Sequence, residues 1–307
     1  MLHLDGSDHE WLALRPGERQ TLLLVVDDAT GKNLGGCLVE AETTKNCMSI
    51  MKSVVEKHGI PAQLYTDRHS VYWHTKKAGG KVDTDNPTQF GRTMDELGIE
   101  MIPGYSPQAR GRGERWNGTW QGRLVSELRK DGIDNISDAN RYIEKVFLQD
   151  MNNRFSVDAA EKGSAFVSAE NASLDLIFAI IYKERTVYAD NTVRVNNQLL
   201  QIEKSPYRVS FAKCKVDVYE HLNGTYTIIW KKRTLGHYDE EGKLVDYIGG
   251  QPPNPRGLSL YRIPDGQDEK GQSKMPCPSV YSPDSALGSL PSVALSSEQV
   301  LDKYHDG

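Results

Sequence analysis

The chain has 307 residues, 38% of them hydrophobic, with a formal net charge of -5 and a sequence pI near 5.9. That length suits one sizeable domain plus a smaller one. The acidity argues against a protein that coats nucleic acid nonspecifically, but it leaves room for a local basic surface. No apolar run approaches the roughly 18 residues of a membrane span, and the opening MLHLDGSDHEW lacks the basic and apolar regions of a secretory signal. Cys37, Cys47, Cys214 and Cys277 form no CxxC pair, so neither a zinc ribbon nor a disulfide framework is indicated.

Residues 1–5 read as the end of a short strand leading to Asp5. TLLLVVDD at 21–28 is a buried strand by its length and branched content, ATGKN turns the chain, and LGGCLVEAE at 34–42 is the return strand. From Thr44 to His58, Met48, Ile50, Met51, Val54 and Val55 share one helical face, and Gly59 with Pro61 closes the helix. AQLYTD at 62–67 is a short strand ending on Asp67. Residues 74–88 are polar and read as a loop. TQFGRTMDELG at 88–98 gives a helix, IEMI at 99–102 a strand, and the stretch after Pro107 a long helix to about Lys130. A further amphipathic helix spans 137–152 from a Ser137 cap. An antiparallel opening followed by alternating strands and helices indicates an α/β fold with a mixed sheet and helices packed on it.

From about residue 185 the texture changes to short strands punctuated by turns such as Asn223-Gly224, which suggests a small β-barrel or compact sheet over 185–248. Residues 161–184 connect it to the first domain, 1–160, through a short helix containing LIFAII. Residues 249–307 hold eight of the fourteen prolines and many serines, a composition that buries little, and are expected to be a disordered tail.

Residues 103–130 gather Arg110, Arg112, Arg115, Arg123, Arg129 and Lys130 against only Glu114 and Glu127. Guanidinium groups position phosphates well. Asp5 ends the first strand, Asp67 ends the fourth, and Glu114 lies near the start of the long helix after the fifth. Such positions can converge at one sheet edge, where three carboxylates would repel each other unless a cation neutralised them. Two Mg²⁺ ions about 4 Å apart would do so and would serve phosphoryl transfer. An all-oxygen ligand set suits Mg²⁺ or Mn²⁺ better than zinc. Asn117 lies one helical turn beyond Glu114 on the same face. Trp116 and Trp120 read as a packing face, Asp27 and Asp28 as turn formers, and WKKR at 230–233 equally as a solvated strand end or a DNA contact.

LDGSDHEW at 4–11, LYTDRHSVY at 64–72 and YSPQARGRGERWNGTWQGRLVSELR at 105–129 resemble the three motif blocks of integrase-core DDE transposases, most closely the bacterial insertion-sequence group labelled ISNCY. The resemblance covers residues 1–155 well and 185–248 more loosely. It implies an RNase H-like catalytic core followed by a small SH3-like barrel. Asp5, Asp67 and Glu114 would be the catalytic, metal-binding carboxylates holding two Mg²⁺ or Mn²⁺ ions. Arg110, Arg112, Arg115, Asn117, Arg123 and His69 would contact DNA, while His9 lies within the first block. The implied activity is DNA end cleavage and strand transfer on transposon ends and target DNA, by a homo-oligomer acting in the bacterial cytoplasm at the nucleoid. Alternative readings are a truncated, inactive DNA-binding remnant and an RNase H-like nuclease without strand transfer.

The match departs from the family pattern in three places. Between Asp67 and Glu114 lie 46 residues, more than is usual in retroviral-type cores, with the loop at 74–88 able to house the excess. Gly113 replaces a more helix-favouring apolar residue. Relatives carry an upstream helix-turn-helix region; with the first aspartate at position 5, the expectation is a chain that lacks it.

Overall fold

Strand β1 (Leu2–His9) is the axis of the central sheet, pairing antiparallel with β2 (Gln20–Asp27) and parallel with β4 (Gln63–Thr66). In this computed structural model β3 (Asn33–Val39) extends the antiparallel side and β7 (Glu100–Pro103) the parallel side, giving the order β3-β2-β1-β4-β7. The structure describes residues 1–77, 80–105, 107–161, 163–204 and 208–247, apart from the side chains of 107–115 and of Tyr247. The tail expected at 249–307 lies outside the described residues. The mixed sheet flanked by helices is the α/β architecture that the sequence pattern indicates.

The apolar run of β2 is buried on both faces because each face has its own helical cover. Leu23 and Val25 join Leu2 and Leu4 against α1 (Thr44–His58) and α2 (Gln89–Glu96), which contribute Met48, Met51, Val54 and Phe90. Leu22, Leu24 and Val26 face α3 (Pro107–Lys130) on the other side, with Trp120, Leu124 and Leu128 recurring at every fourth position. Each such fully buried side chain contributes about 1.5–3 kcal/mol of transfer free energy. Trp120 packs edge-on against Phe147 at 4.9 Å, so it serves the core as its spacing suggested.

The helix expected at 137–152 is a continuous path of α4 (Ile136–Tyr142), a π-helical turn (Ile143–Phe147) and α5 (Leu148–Phe155). Its cap is Asn135 rather than Ser137, because the Asn135 side chain accepts from the Asp138 amide. This path also protects the outer edge of β3. The Asn140 amide exchanges two hydrogen bonds with the Leu38 backbone (2.6 and 2.9 Å), and Asn152 does the same with Asn33 (2.7 and 2.9 Å). Two side chains thereby stand in for a sixth strand.

Residues 74–88 are mostly irregular, as expected, but contain the minimal hairpin β5 (His74–Thr75) and β6 (Val82–Asp83). Part of the segment expected to connect the domains is built into regular structure. Helix α6 (Leu174–Ile177) ends before most of LIFAII, and β8 (Ile180–Thr186) begins inside it. The helix stops there because Arg92 of α2 binds the carbonyls of Ile177 and Ala179, while Gln89 pairs with both backbone groups of Ile181. β8 then edges an antiparallel sheet ordered β14-β13-β12-β11-β8, formed with β11 (Lys215–Glu220), β12 (Tyr226–Trp230), β13 (Arg233–Tyr238) and β14 (Leu244–Tyr247). The hairpin of β9 (Thr192–Val195) and β10 (Gln198–Gln201) closes over the same small core, which includes Val193, Leu200, Phe211, Val218 and Ile228.

Candidate active site

Parallel pairing of β1 with β4 matches Leu4 with Thr66. Continuing that register by one residue sets Asp5 beside Asp67, and the charge of Asp67 acts directly on Asp5. Alternation on β1 turns Leu2 and Leu4 towards α1 and leaves Asp5 facing α3. There the Asn117 amide donates to Asp5 Oδ2 at 2.8 Å, and one turn further Gln121 donates to Ser7 Oγ at 3.2 Å. Helix α3 thus lies along the carboxylate-bearing face of β1.

Asp5 is only partly exposed, and burial pushes its pKa up to about 6. The Asn117 hydrogen bond opposes that shift, whereas the charges of Asp67 and Glu42 add to it. Asp67 is fixed locally, its Oδ1 accepting from the His69 amide at 2.9 Å. The neighbouring Thr66 hydroxyl accepts from the Trp73 indole at 2.9 Å, which ties the end of β4 to the following turn. His69 itself is exposed, beside Asp67 in the chain and near enough to Glu42 to act on its charge.

Glu42 is the residue that sequence reading missed. The sequence pattern reads it as the last residue of the return strand 34–42; in the structure β3 already ends at Val39, and Glu42 stands just before the Thr43 cap of α1. In the fold its carboxylate lies against Gly6, the neighbour of Asp5: a Cβ on Gly6 would come within 2.5 Å of Glu42 Oε2. The Tyr72 hydroxyl donates to Glu42 Oε1 and holds it there. Burial raises the Glu42 pKa, with Asp67 adding to the effect and Tyr72 and His69 opposing it. The glycine in LDGSD was the available signal, since close approach demands a missing Cβ.

The other expected site residues divide. The side chains of Arg110, Arg112, Glu114 and Arg115 lie outside the described residues, although the α3 backbone runs through their positions. Arg123 is engaged within the fold: it pairs with Asp150 at 3.1 Å and Glu127 at 3.5 Å and lies over the Phe155 ring. Asp5, Asp67 and Asn117 are brought together, and Arg123 makes its contacts elsewhere. His9 packs edge-on against Trp11. Among the described residues no three His, Cys, Asp or Glu side chains form a ready metal cage. What is present is an all-oxygen donor set, together with an Asn117 Oδ1 that is buried without a hydrogen-bond partner among the described residues. Mutually repelling carboxylates beside an unsatisfied amide oxygen suit a hard divalent cation.

No protein-family model matches the chain. Two curated relatives are transposases by name. One is y4bF of Sinorhizobium fredii, 29% identical over 281 residues, which are 90% of this chain and 60% of that protein. The other is the transposase for insertion sequence IS1202 of Streptococcus pneumoniae, 32% identical over 198 residues, or 64% of this chain and 41% of that protein. The chain therefore spans between two fifths and three fifths of the length of these relatives. Similar solved structures include the HTLV-2 integrase catalytic core domain in complex with magnesium, at 15% identity, covering 46% of this chain and 82% of that one with a TM-score of 0.35. A simian T-cell lymphotropic virus intasome in complex with PP2A regulatory subunit B56 gamma matches at 12% identity, covering 76% and 74%, with a TM-score of 0.38. The curated relatives bear out the resemblance to transposases.

Proposed function

We propose that this chain carries the RNase H-like catalytic core of a DNA transposase, which cleaves DNA at transposon ends and joins the freed 3′ ends to target DNA. The observation that carries this reading is the meeting of Asp5 and Asp67 on adjacent parallel strands with Asn117 of α3 over them, in a chain similar in sequence to transposases. Helical spacing sets position 114 one turn before Asn117, on the face that meets β1. Asp5, Asp67 and Glu114 would together hold Mg²⁺ or Mn²⁺, two ions by the family resemblance.

When bound, such ions activate an attacking oxygen and stabilise the leaving one in phosphoryl transfer. The protein groups have separate tasks. Asn117 steadies the Asp5 carboxylate through Nδ2, and the fixed Asp67 supplies the second carboxylate. The arginines at 110, 112 and 115, with exposed His69, would position phosphates at the basic start of α3. Arg123 would join them only by exchanging its partners Asp150 and Glu127 for a phosphate. The C-terminal sheet would be the SH3-like module, reaching DNA or a second copy, and the active form would be an oligomer on paired DNA ends. A protein with that role would act at the nucleoid; among the described residues no helix is long and apolar enough to cross a membrane.

The test is Mg²⁺- or Mn²⁺-dependent cleavage and joining of DNA ends flanking the gene, with Glu114→Gln run beside the unaltered chain. Joined products that vanish in the variant support the reading. Equal products from both would remove Glu114 from the centre. Nicking without joining would favour a nuclease.

A further inference from the structure

A cavity of about 450 Å³ opens beside Asp5, between β1, the end of β2 and α3. Leu24 and Val26 are among its apolar walls, and Trp116 and Phe155 supply aromatic surface. Its polar lining is rich in acceptors, namely the carboxylates of Asp5, Asp27 and Asp28, with Asn117 beside Asp5. The aromatic wall is set by close packing: Gly31, at φ +66°, lies so near Trp116 that a Cβ would sit 2.9 Å from Cζ2. The carboxylates are also held in place. Thr30 Oγ1 donates to Asp27 Oδ2 at 2.6 Å, and His3 Nε2 lies 3.2 Å from Asp28 Oδ1.

We propose that this cavity receives a nucleobase turned out of the DNA beside the reacting phosphate, with a preference for amine-bearing bases. The inference rests on the transposase reading, which brings the DNA backbone to Asp5. With Asp5 given to the metal ions, the carboxylates of Asp27 and Asp28 remain to disfavour a phosphate or any other anion deeper in the cavity. Acceptors of this kind take hydrogen bonds from the two protons of the exocyclic amine of cytosine or adenine, whereas thymine offers only its single ring N3–H. Aromatic walls accept the flat face of a base by stacking. The volume accommodates a planar ring with room to enter, whereas a single lysine or arginine chain would leave much of it empty. Extrusion is easiest for a base without a pairing partner, which gives a direct assay.

The experiment measures affinity of the full chain, in Ca²⁺, for duplexes that differ at one central position: fully paired, an unpaired cytosine, an unpaired thymine, or an abasic residue. Cytosine should bind about five- to tenfold tighter than the abasic duplex, with thymine between them. The cytosine-to-abasic ratio should collapse towards one in Trp116→Leu and in Phe155→Ala, the latter at a site 40% exposed and so safe for folding. Equal affinities for cytosine, thymine and abasic duplexes overturn the proposal, as does a ratio that survives both substitutions. Joining activity of the same preparation separates the two failures. Joining without a base preference overturns the cavity assignment alone, and absence of both DNA binding and joining overturns the transposase reading with it.

Discussion

Asn117 Nδ2 donates to Asp5 Oδ2 at 2.8 Å, joining α3 to the central strand at a carboxylate whose charged form is penalised by burial. Among the described residues the Oδ1 of the same side chain is buried and finds no hydrogen-bond partner. Replacing the donor with an acid should therefore do the most harm when no cation is present. Asn117→Asp is expected to lose about 1–3 kcal/mol of stability in EDTA at pH 8, the scale of a lost charged hydrogen bond with an added like charge. Divalent cation should restore much of the loss. Urea denaturation with and without Mg²⁺ measures both numbers, and an equal loss in the two conditions would contradict the account.

The raised pKa of Asp5 fixes the sign of a pH effect. Between its ordinary value of 3.8 and its folded value of about 6, the folded chain holds a proton that the unfolded chain has released. The contribution of Asp5 to stability thus falls as pH rises through that window, by about 3 kcal/mol in metal-free protein. Asp5→Asn should be more stable than the unaltered chain at pH 7.5 in EDTA and should lose this part of the pH slope. Mg²⁺ should raise the melting temperature of the unaltered chain and leave that of Asp5→Asn nearly unmoved. Thermal melts from pH 4 to 8 decide it; a variant destabilised at neutral pH would count against the burial argument.

Glu42 acts on Asp5 and on the ends of β1 and β4 through charge and close packing. Glu42→Gln keeps the acceptor for Tyr72 and removes the charge. A charge near a cation site at an effective dielectric of about 20 is worth on the order of 1 kcal/mol, so Mn²⁺ affinity should weaken about fivefold. Calorimetric titration gives the answer. Unchanged affinity would reduce Glu42 to a packing residue.

The C-terminal sheet is tied to the first by Lys45, whose ammonium reaches the buried Glu220 at 2.6 Å. Burial alone would raise the Glu220 pKa, but hydrogen bonds from Lys45 and Tyr182 bring it below the ordinary value. Lys45→Met leaves that carboxylate short of its cation. Since Lys45 is itself 45% exposed, the expected cost is about 1–2 kcal/mol rather than the larger penalty of a wholly buried pair. Chemical denaturation should show it, and Glu220→Gln combined with Lys45→Met should cost little more than either alone.

Strands and helices with strong apolar periodicity were legible: β2 and the buried face of α1 follow from residue pattern alone. Asp67 follows directly on the end of β4, whereas Asp5, expected to end a short first strand, lies in the interior of β1, which continues to His9 through its pairing with β2. Contacts between distant polar side chains were not legible. Asn140 and Asn152 resemble ordinary helix-surface residues until they meet β3, and Arg92 with Gln89 shapes the start of β8 across more than eighty residues. Glu42 was hidden for the same reason. Its role depends on Gly6 and Tyr72, which only the closed sheet brings to it.

The most direct measurement is single-turnover joining of DNA ends in Mg²⁺ by the unaltered chain, Asp5→Asn, Asp67→Asn, Glu114→Gln and the triple variant, with DNA affinity recorded for each. Groups that act as one centre are strongly non-additive. Each single variant should fall about as far as the triple while still binding DNA. Losses that simply add up, or a single variant that retains most of its joining, would contradict a shared carboxylate centre.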